Sequence, residues 1–172
     1  MKFSSDTLSV LKNFSTINPS IVFKPGSVVR TISPQKTVMA AATIDETVET
    51  QAGVYDLSRF LSTLALFDNP EVVFGQDRFS IEGGRSKLRY TYTSESLMVT
   101  PPEKDIVVPD PEVSVNIKWQ DIENVLRAAG VLQLPEIAFI GDGTSVTMSA
   151  VDSKTSTADN YNTVVAEDTF TK

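Results

Sequence analysis

One phrase recurs three times in this chain and constrains the fold more than anything else in it: NPSIVF at residues 18–23, NPEVVF at 69–74 and LPEIAF at 134–139. Each copy follows a dozen residues with helical periodicity. In Asp6–Ile17, Leu8, Leu11, Phe14 and Ile17 recur every third residue and form one apolar stripe of a short helix. Ser4, Ser5 or Asp6 is placed to cap it by accepting a hydrogen bond from an orphan amide of the first turn. Asp56–Asp68 repeats the pattern, with Leu57, Phe60, Leu61, Leu64 and Phe67 as the stripe and Asp56 as the cap. Trp119–Leu132 is the third version, with Ile122, Val125, Leu126 and Ala129 on its buried side. The proline after each segment lacks an N–H and pushes its predecessor out of the α region, so each helix ends before it.

The second and third copies align without a gap over Asp56–Phe74 and Asp121–Phe139, at a constant offset of 65. Asp56 matches Asp121, Phe60 matches Val125, Leu61 matches Leu126 and Pro70 matches Pro135. The first copy joins through Pro19 and Phe23 at an offset of 51. A joint register of cap, stripe, proline and strand is hard to reach by chance, so this is an internal repeat.

Strand-like segments follow every helix. They are IVFKP, SVVRTIS, TVMAAATI and ETQAGVYD; then EVVFG, DRFSIEG and SKLRYTYT; then EIAFIG, TSVTMSAVD and NYNTVVAED. Turn signals divide them, among them Pro25-Gly26, Ser33-Pro34 and Gly141-Asp142-Gly143. The repeating unit is one short helix plus three or four antiparallel strands, which gives an α+β fold with helices on one face of the sheets. Residues 97–111, LMVTPPEKDIVVPDP, hold four prolines and read as an extended connector. The expected organisation is a first domain at 1–96 with two units, the connector at 97–111, and a second domain at 112–172 with one unit.

Composition narrows the chemistry. The chain has no cysteine and no histidine, which removes thiolate metal sites, disulfides, cysteine nucleophiles and every Ser-His-Asp triad. No apolar run approaches the roughly 18–20 residues of a membrane span, and MKFSSDTLSV lacks the apolar core of a signal peptide. Gly83-Gly84 and Gly141-Asp142-Gly143 read as hairpin turns, since neither opens a helix as a phosphate loop would. Asp105, Asp110 and Glu112 read as a solvated charge run in the connector, and Trp119, Tyr90 and Tyr92 as packing residues that could alternatively stack on bases. A carboxylate enzyme would need paired acids in a deep pocket, and no spacing suggests one. No catalytic residue, metal ligand or cofactor is expected.

The helix faces away from the stripes carry the functional signal. Lys12, Arg59 and Arg127 stand there among small polar residues such as Ser5, Ser9, Thr16, Ser58, Ser62, Thr63 and Asn124. Two readings stay open at this level. One is an ordinary solvated face; the other presents a cation per helix to a phosphate backbone, with no means of reading bases. The net charge of −7 argues against a uniformly basic nucleic-acid binder but allows an acidic exterior with a basic inner surface.

The segments MKFSSDTLSVLKNFSTIN, VYDLSRFLSTLALFDN, PPEKDIVVPDP and IKWQDIENVLRAAGVLQLPEIAF resemble the DNA sliding clamps of T-even-like bacteriophages, in order and spacing across the whole chain. The resemblance implies the DNA clamp fold and a homotrimeric ring, in which helices line a hole around double-stranded DNA and sheets form the outer layer. It implies a processivity factor without an active site, loaded by a clamp loader and holding the C-terminal peptide of the replicative DNA polymerase. It places such a protein in the cytoplasm of the infected bacterial host, with no membrane association. Lys12, Arg59 and Arg127, with Lys2 and Lys118, are then the DNA-facing residues, and Ile106, Val107 and Val108 mark the partner-binding connector. The family pattern has a fourth helix–strand unit, into which TVVAEDTFTK would lead. With one unit after the connector, the second domain is expected to leave apolar surface uncovered and to lack part of a subunit contact. The competing reading is a non-enzymatic, β-rich structural protein of a phage virion.

Overall fold

The computed structural model describes residues 1–102, 110 and 114–167. The chain divides into two compact units, Met1–Asp105 and Ile106–Lys172. In the first, α1 (Ser5–Ile17) leads into β1 (Ile21–Phe23), β2 (Gly26–Ile32), β3 (Met39–Val48) and β4 (Ala52–Val54). A second round follows with α2 (Leu57–Leu64), β5 (Glu71–Phe74), β6 (Arg78–Gly83) and β7 (Ser86–Thr91), then a 3-10 turn at Glu95–Leu97. The second unit holds α3 (Trp119–Leu132), β8 (Glu136–Gly141), β9 (Val146–Val151) and β10 (Tyr161–Ala166). All strand pairs are antiparallel: β1 with β4, β2 with β3, and the two meanders β5-β6-β7 and β8-β9-β10. The gapless repeat of the sequence is therefore a repeat of topology, helix followed by three-stranded meander.

The first two helices begin for reasons that can be named. Ser4 caps α1 by accepting from the Thr7 amide at 3.1 Å. Glu46 of β3 completes the cap, accepting from the Ser4 amide at 2.5 Å and the Thr7 hydroxyl at 2.6 Å, so a carboxylate faces the positive end of the helix dipole. Asp56 caps α2 by accepting from the Arg59 amide at 2.8 Å. The Leu57 amide, another orphan of that first turn, donates to the Pro19 carbonyl at 2.7 Å, so the turn closing copy one supports the helix opening copy two.

Three expectations need correction. The helix expected over Asp56–Asp68 stops at Leu64, where 3-10-type bonds from the Leu66 amide to Thr63 and from Phe67 to Leu64 tighten the chain. That tightening lays Phe67 on the backbone of Gly83, where a Cβ would meet the ring at 2.9 Å. Asp121, matched in sequence to the cap Asp56, is not a cap; it lies inside the first turn of α3, and Lys118 occupies the cap position with no side-chain hydrogen bond to the helix. Leu126, assigned to the buried side of α3, is 51 % exposed. Its counterpart Leu61 packs against the core of the first unit, where α1 lies beside α2. Among the described residues of the second unit α3 has no such neighbour.

The core of the first unit fuses both copies. Phe23 of β1, Phe60 of α2 and Phe79 of β6 are fully buried and meet in one aromatic cluster with Phe74, Tyr90 and Tyr92. Asn18, 2 % exposed, holds the same copies together with polar bonds: its amide donates to the Ile32 carbonyl at 2.7 Å and the Val99 carbonyl at 3.0 Å, while its oxygen accepts from the Ser20 amide at 2.9 Å. Met1 reaches across as well, its amino group donating to Val72 and its carbonyl accepting from Val72, both at 2.7 Å. The core of the second unit is smaller, centred on Val125, Ala129, Met148 and Ala150.

The β8–β9 turn is closed by one carboxylate. Asp142 accepts from the amides of Thr144 at 2.8 Å and Ser145 at 2.7 Å and from both of their hydroxyls. The Ser145 amide bond, then the Thr144 bonds, hold its carboxyl well below the ordinary value of 3.8. A depressed folded-state pKa means that the turn's stabilisation is complete above 3.8 and is lost as the pH falls below it. In an NMR titration, the Thr144 and Ser145 amides are expected to hold their shifts down through 3.8 and move only at more acid pH. Movement centred on the ordinary aspartate value would contradict this closure.

Candidate nucleic-acid interface

The helical layer of the first unit has a charge pattern that the rest of the chain lacks. After Asp6, neither α1 nor α2 contains a carboxylate, in a protein of net charge −7. Lys12 and Arg59 are exposed there, as are Ser5, Ser9, Thr16, Ser58 and Ser62. Four hydroxyls of the two helices spend their proton on a helix carbonyl. Ser15 donates to the Lys12 carbonyl and Thr16 to Asn13, each at 2.7 Å; Ser62 donates to Ser58 and Thr63 to Arg59, each at 2.8 Å. Lys12 and Arg59 are the charged donors of this face, with the Asn13 amide and the Ser9 and Ser58 hydroxyls exposed beside them. Such a face attracts phosphate.

Between α1 and α2 runs a groove of about 710 Å³ with an apolar floor that includes Leu8 and Leu61 and a rim that includes Ser5, Lys12, Ser58 and Ser62. Lys12 is thus brought beside the serines of α2. Arg59 stands on α2 outside the groove lining, near Asp56 and Tyr90, whose hydroxyl donates to the Asp56 carbonyl at 3.2 Å. Lys2 is exposed just ahead of α1. In the second unit Lys118 and Arg127 are exposed, at the cap position and within α3. That helix also carries Asp121 and Glu123, so it is less positive than α1 and α2. Ile106, Val107 and Val108 lie outside the described residues, as do Asp105 and Glu112.

Of the aromatic candidates for stacking, Tyr90 and Tyr92 are core residues. Tyr92 meets Phe79 edge-on at 4.6 Å, Tyr90 meets Phe60 at 5.3 Å, and burial raises both phenol pKa values. Trp119 opens α3 and is 67 % exposed. A second groove, of about 290 Å³, was not foreseen from sequence. Val22, Val28, Pro101 and Pro102 line it together with Lys24 and Arg30. Lys24 also pairs with Glu95 at 3.5 Å. Among the described residues no cluster of acidic side chains could hold a metal ion, and no helix is long and apolar enough to cross a membrane.

The architecture is that of the DNA clamps. The fold matches the DNA polymerase III subunit beta of Pseudomonas aeruginosa with a TM-score of 0.53 at 11 % identity, over 92 % of this chain and 50 % of that one. It matches a Helicobacter pylori beta clamp with a TM-score of 0.58 at 14 % identity, over 96 % and 53 %. The family model of the DNA polymerase processivity factor matches residues 4–100. The sliding clamp of Vibrio phage KVP40 is 32 % identical over 97 % of this chain and 78 % of its own length. The sliding clamp of Enterobacteria phage T4 is 34 % identical over 80 % of this chain, which covers 61 % of the T4 protein. This chain belongs to the phage sliding clamp family of DNA polymerase processivity factors. It spans about three-fifths of the T4 relative and about half of the bacterial clamps.

Proposed function

We propose that this protein is a non-enzymatic sliding clamp that surrounds double-stranded DNA and tethers the replicative polymerase of a phage in the cytoplasm of its bacterial host. The observation that carries the reading is the outer face of α1 and α2, which holds no carboxylate after Asp6 in the first turn of α1, with Lys12 and Arg59 as its positive charges in an otherwise acidic chain. Cations without directed base contacts give attraction that is independent of sequence and weakens with salt, which is what motion along a duplex requires. Arg127, Lys118 and Lys2 extend the set, and assembly as a homotrimer by a clamp loader closes the ring. The C-terminal peptide of the polymerase docks beside the connector at 97–111. The groove of Val22, Val28, Pro101 and Pro102 supplies apolar walls there, and Lys24 and Arg30 supply positive charge for a terminal carboxylate.

The test is primer extension by the cognate polymerase and loader with the Lys12→Ala, Arg59→Ala, Arg127→Ala triple variant. Exposed positions leave the fold intact, and processive product length is expected to fall about tenfold at low salt, with the gap to the native protein narrowing as salt rises because fewer phosphate contacts are left to screen. Unchanged product length would remove these residues from the DNA-facing surface.

A further inference from the structure

The β6–β7 hairpin carries positive charge on the sheet face turned away from the helices. Residues 76–91 hold four basic side chains (Arg78, Arg85, Lys87, Arg89) and two acidic ones (Asp77, Glu82), a net of +2 in a chain of net −7. Strand alternation sorts them. Phe79, Ile81, Leu88 and Tyr90 point into the core, so Arg78, Ser80, Lys87 and Arg89 come together on the outer face around one shallow hollow. Register completes the arrangement, because Ser80 lies opposite Arg89 and Glu82 opposite Lys87. Two of the three cations at the hollow have carboxylate partners: Arg78 donates to Asp77 at 2.8 and 2.6 Å, and Lys87 pairs with Glu82. Arg89, exposed between them, makes no ion pair among the described residues.

We propose that this face docks an extended acidic segment of a partner protein. Lys87 and Arg89 are two residues apart on one strand, a repeat of roughly 7 Å, which is also the spacing of alternate side chains in an extended peptide. An acidic residue at every second position meets Lys87 and Arg89 in turn, and a neighbouring one reaches Arg78. A nucleic acid fits less well. The hairpin's aromatic rings are turned into the core, so the hollow offers no platform for bases. Asp77 and Glu82 beside it also oppose a dense run of phosphates more than a few spaced carboxylates.

The experiment is fluorescence anisotropy with the full chain and two labelled probes, a peptide of alternating Glu and Ser about ten residues long and an oligo-dT of similar length. At about 50 mM salt the peptide is expected to bind, and to be released as screening shortens the reach of the charges. Arg89→Glu is expected to weaken it about tenfold, while Arg89→Lys stays within about twofold. Arg59→Glu, on the helical face, is expected to leave peptide binding unchanged. Circular dichroism confirms the fold of each variant. Equal losses from Arg89→Glu and Arg59→Glu, no binding to the native protein, or Arg89-dependent binding of oligo-dT tighter than that of the peptide would each overturn the proposal.

Discussion

Phe79→Ala is expected to lower the stability of the first unit by about 4 kcal/mol, the largest single effect we foresee. Phe79 has no exposed surface and stands on the central strand of its sheet. Its ring lies 4.8 Å from Phe60, 4.8 Å from Phe74 and 4.6 Å from Tyr92, and 6.3 Å from Phe23 of the other copy. Truncation removes the buried ring and the edge-to-face pairs, and leaves a cavity that five surrounding aromatics cannot collapse into without leaving their rotamers. Against a total stability of about 5–15 kcal/mol for an ordinary domain, this brings the unit close to unfolding. Far-UV circular dichroism in urea is the suitable probe, since the only tryptophan, Trp119, sits in the other unit. A loss below about 1 kcal/mol would mean that the two copies do not share this core.

Gly53→Ala is expected to cost about 3 kcal/mol, although Gly53 sits in a short strand with an ordinary backbone angle. A Cβ there would lie 2.1 Å from the Thr93 carbonyl oxygen and 2.6 Å from the Met98 methyl. The methionine can turn aside, but the carbonyl is held, because the Thr93 amide donates to the Gly53 carbonyl at 2.9 Å. Glycine is what lets the chain leaving β7 cross back over β4 towards the connector. The variant is expected to show faster hydrogen exchange at Thr93 as well as the lower midpoint. Gly130→Ala is the counterpart: nothing lies within 4 Å of its Cβ position, it is exposed in α3, and alanine there is expected to stabilise by about 1 kcal/mol. Two changes of the same sign would contradict the close approach at Gly53.

These two residues also mark where sequence reading stops. Ser4 and Asp56 as caps, the limits of α3 and the turn at Gly141–Gly143 were all legible, because cap, stripe and turn signals act over a few residues. The end of α2 was not, because the period continues to Phe67 whether that ring is reached by helix or by a tightened turn folding it onto Gly83. Leu126 was misplaced because its stripe position is the same as that of Leu61, and burial depended on a neighbouring helix. The contacts of Gly53 with Thr93, of Asn18 with Val99 and of Met1 with Val72 join residues far apart in sequence and leave no local trace. For the site, the alternation of Lys87, Leu88, Arg89 and Tyr90 was visible, but its meeting with Arg78 required the β6–β7 register. The cations of the helices were legible as a pattern. The tying of their neighbouring hydroxyls to helix carbonyls was not.

A ring makes its hold on DNA topological, whereas a surface-bound protein depends on contacts alone. With the cognate loader and ATP, the protein is expected to stay on a nicked circular duplex and to leave once a restriction enzyme cuts the circle, with the ends free to thread out. Equal retention on circular and linearised DNA would contradict the account.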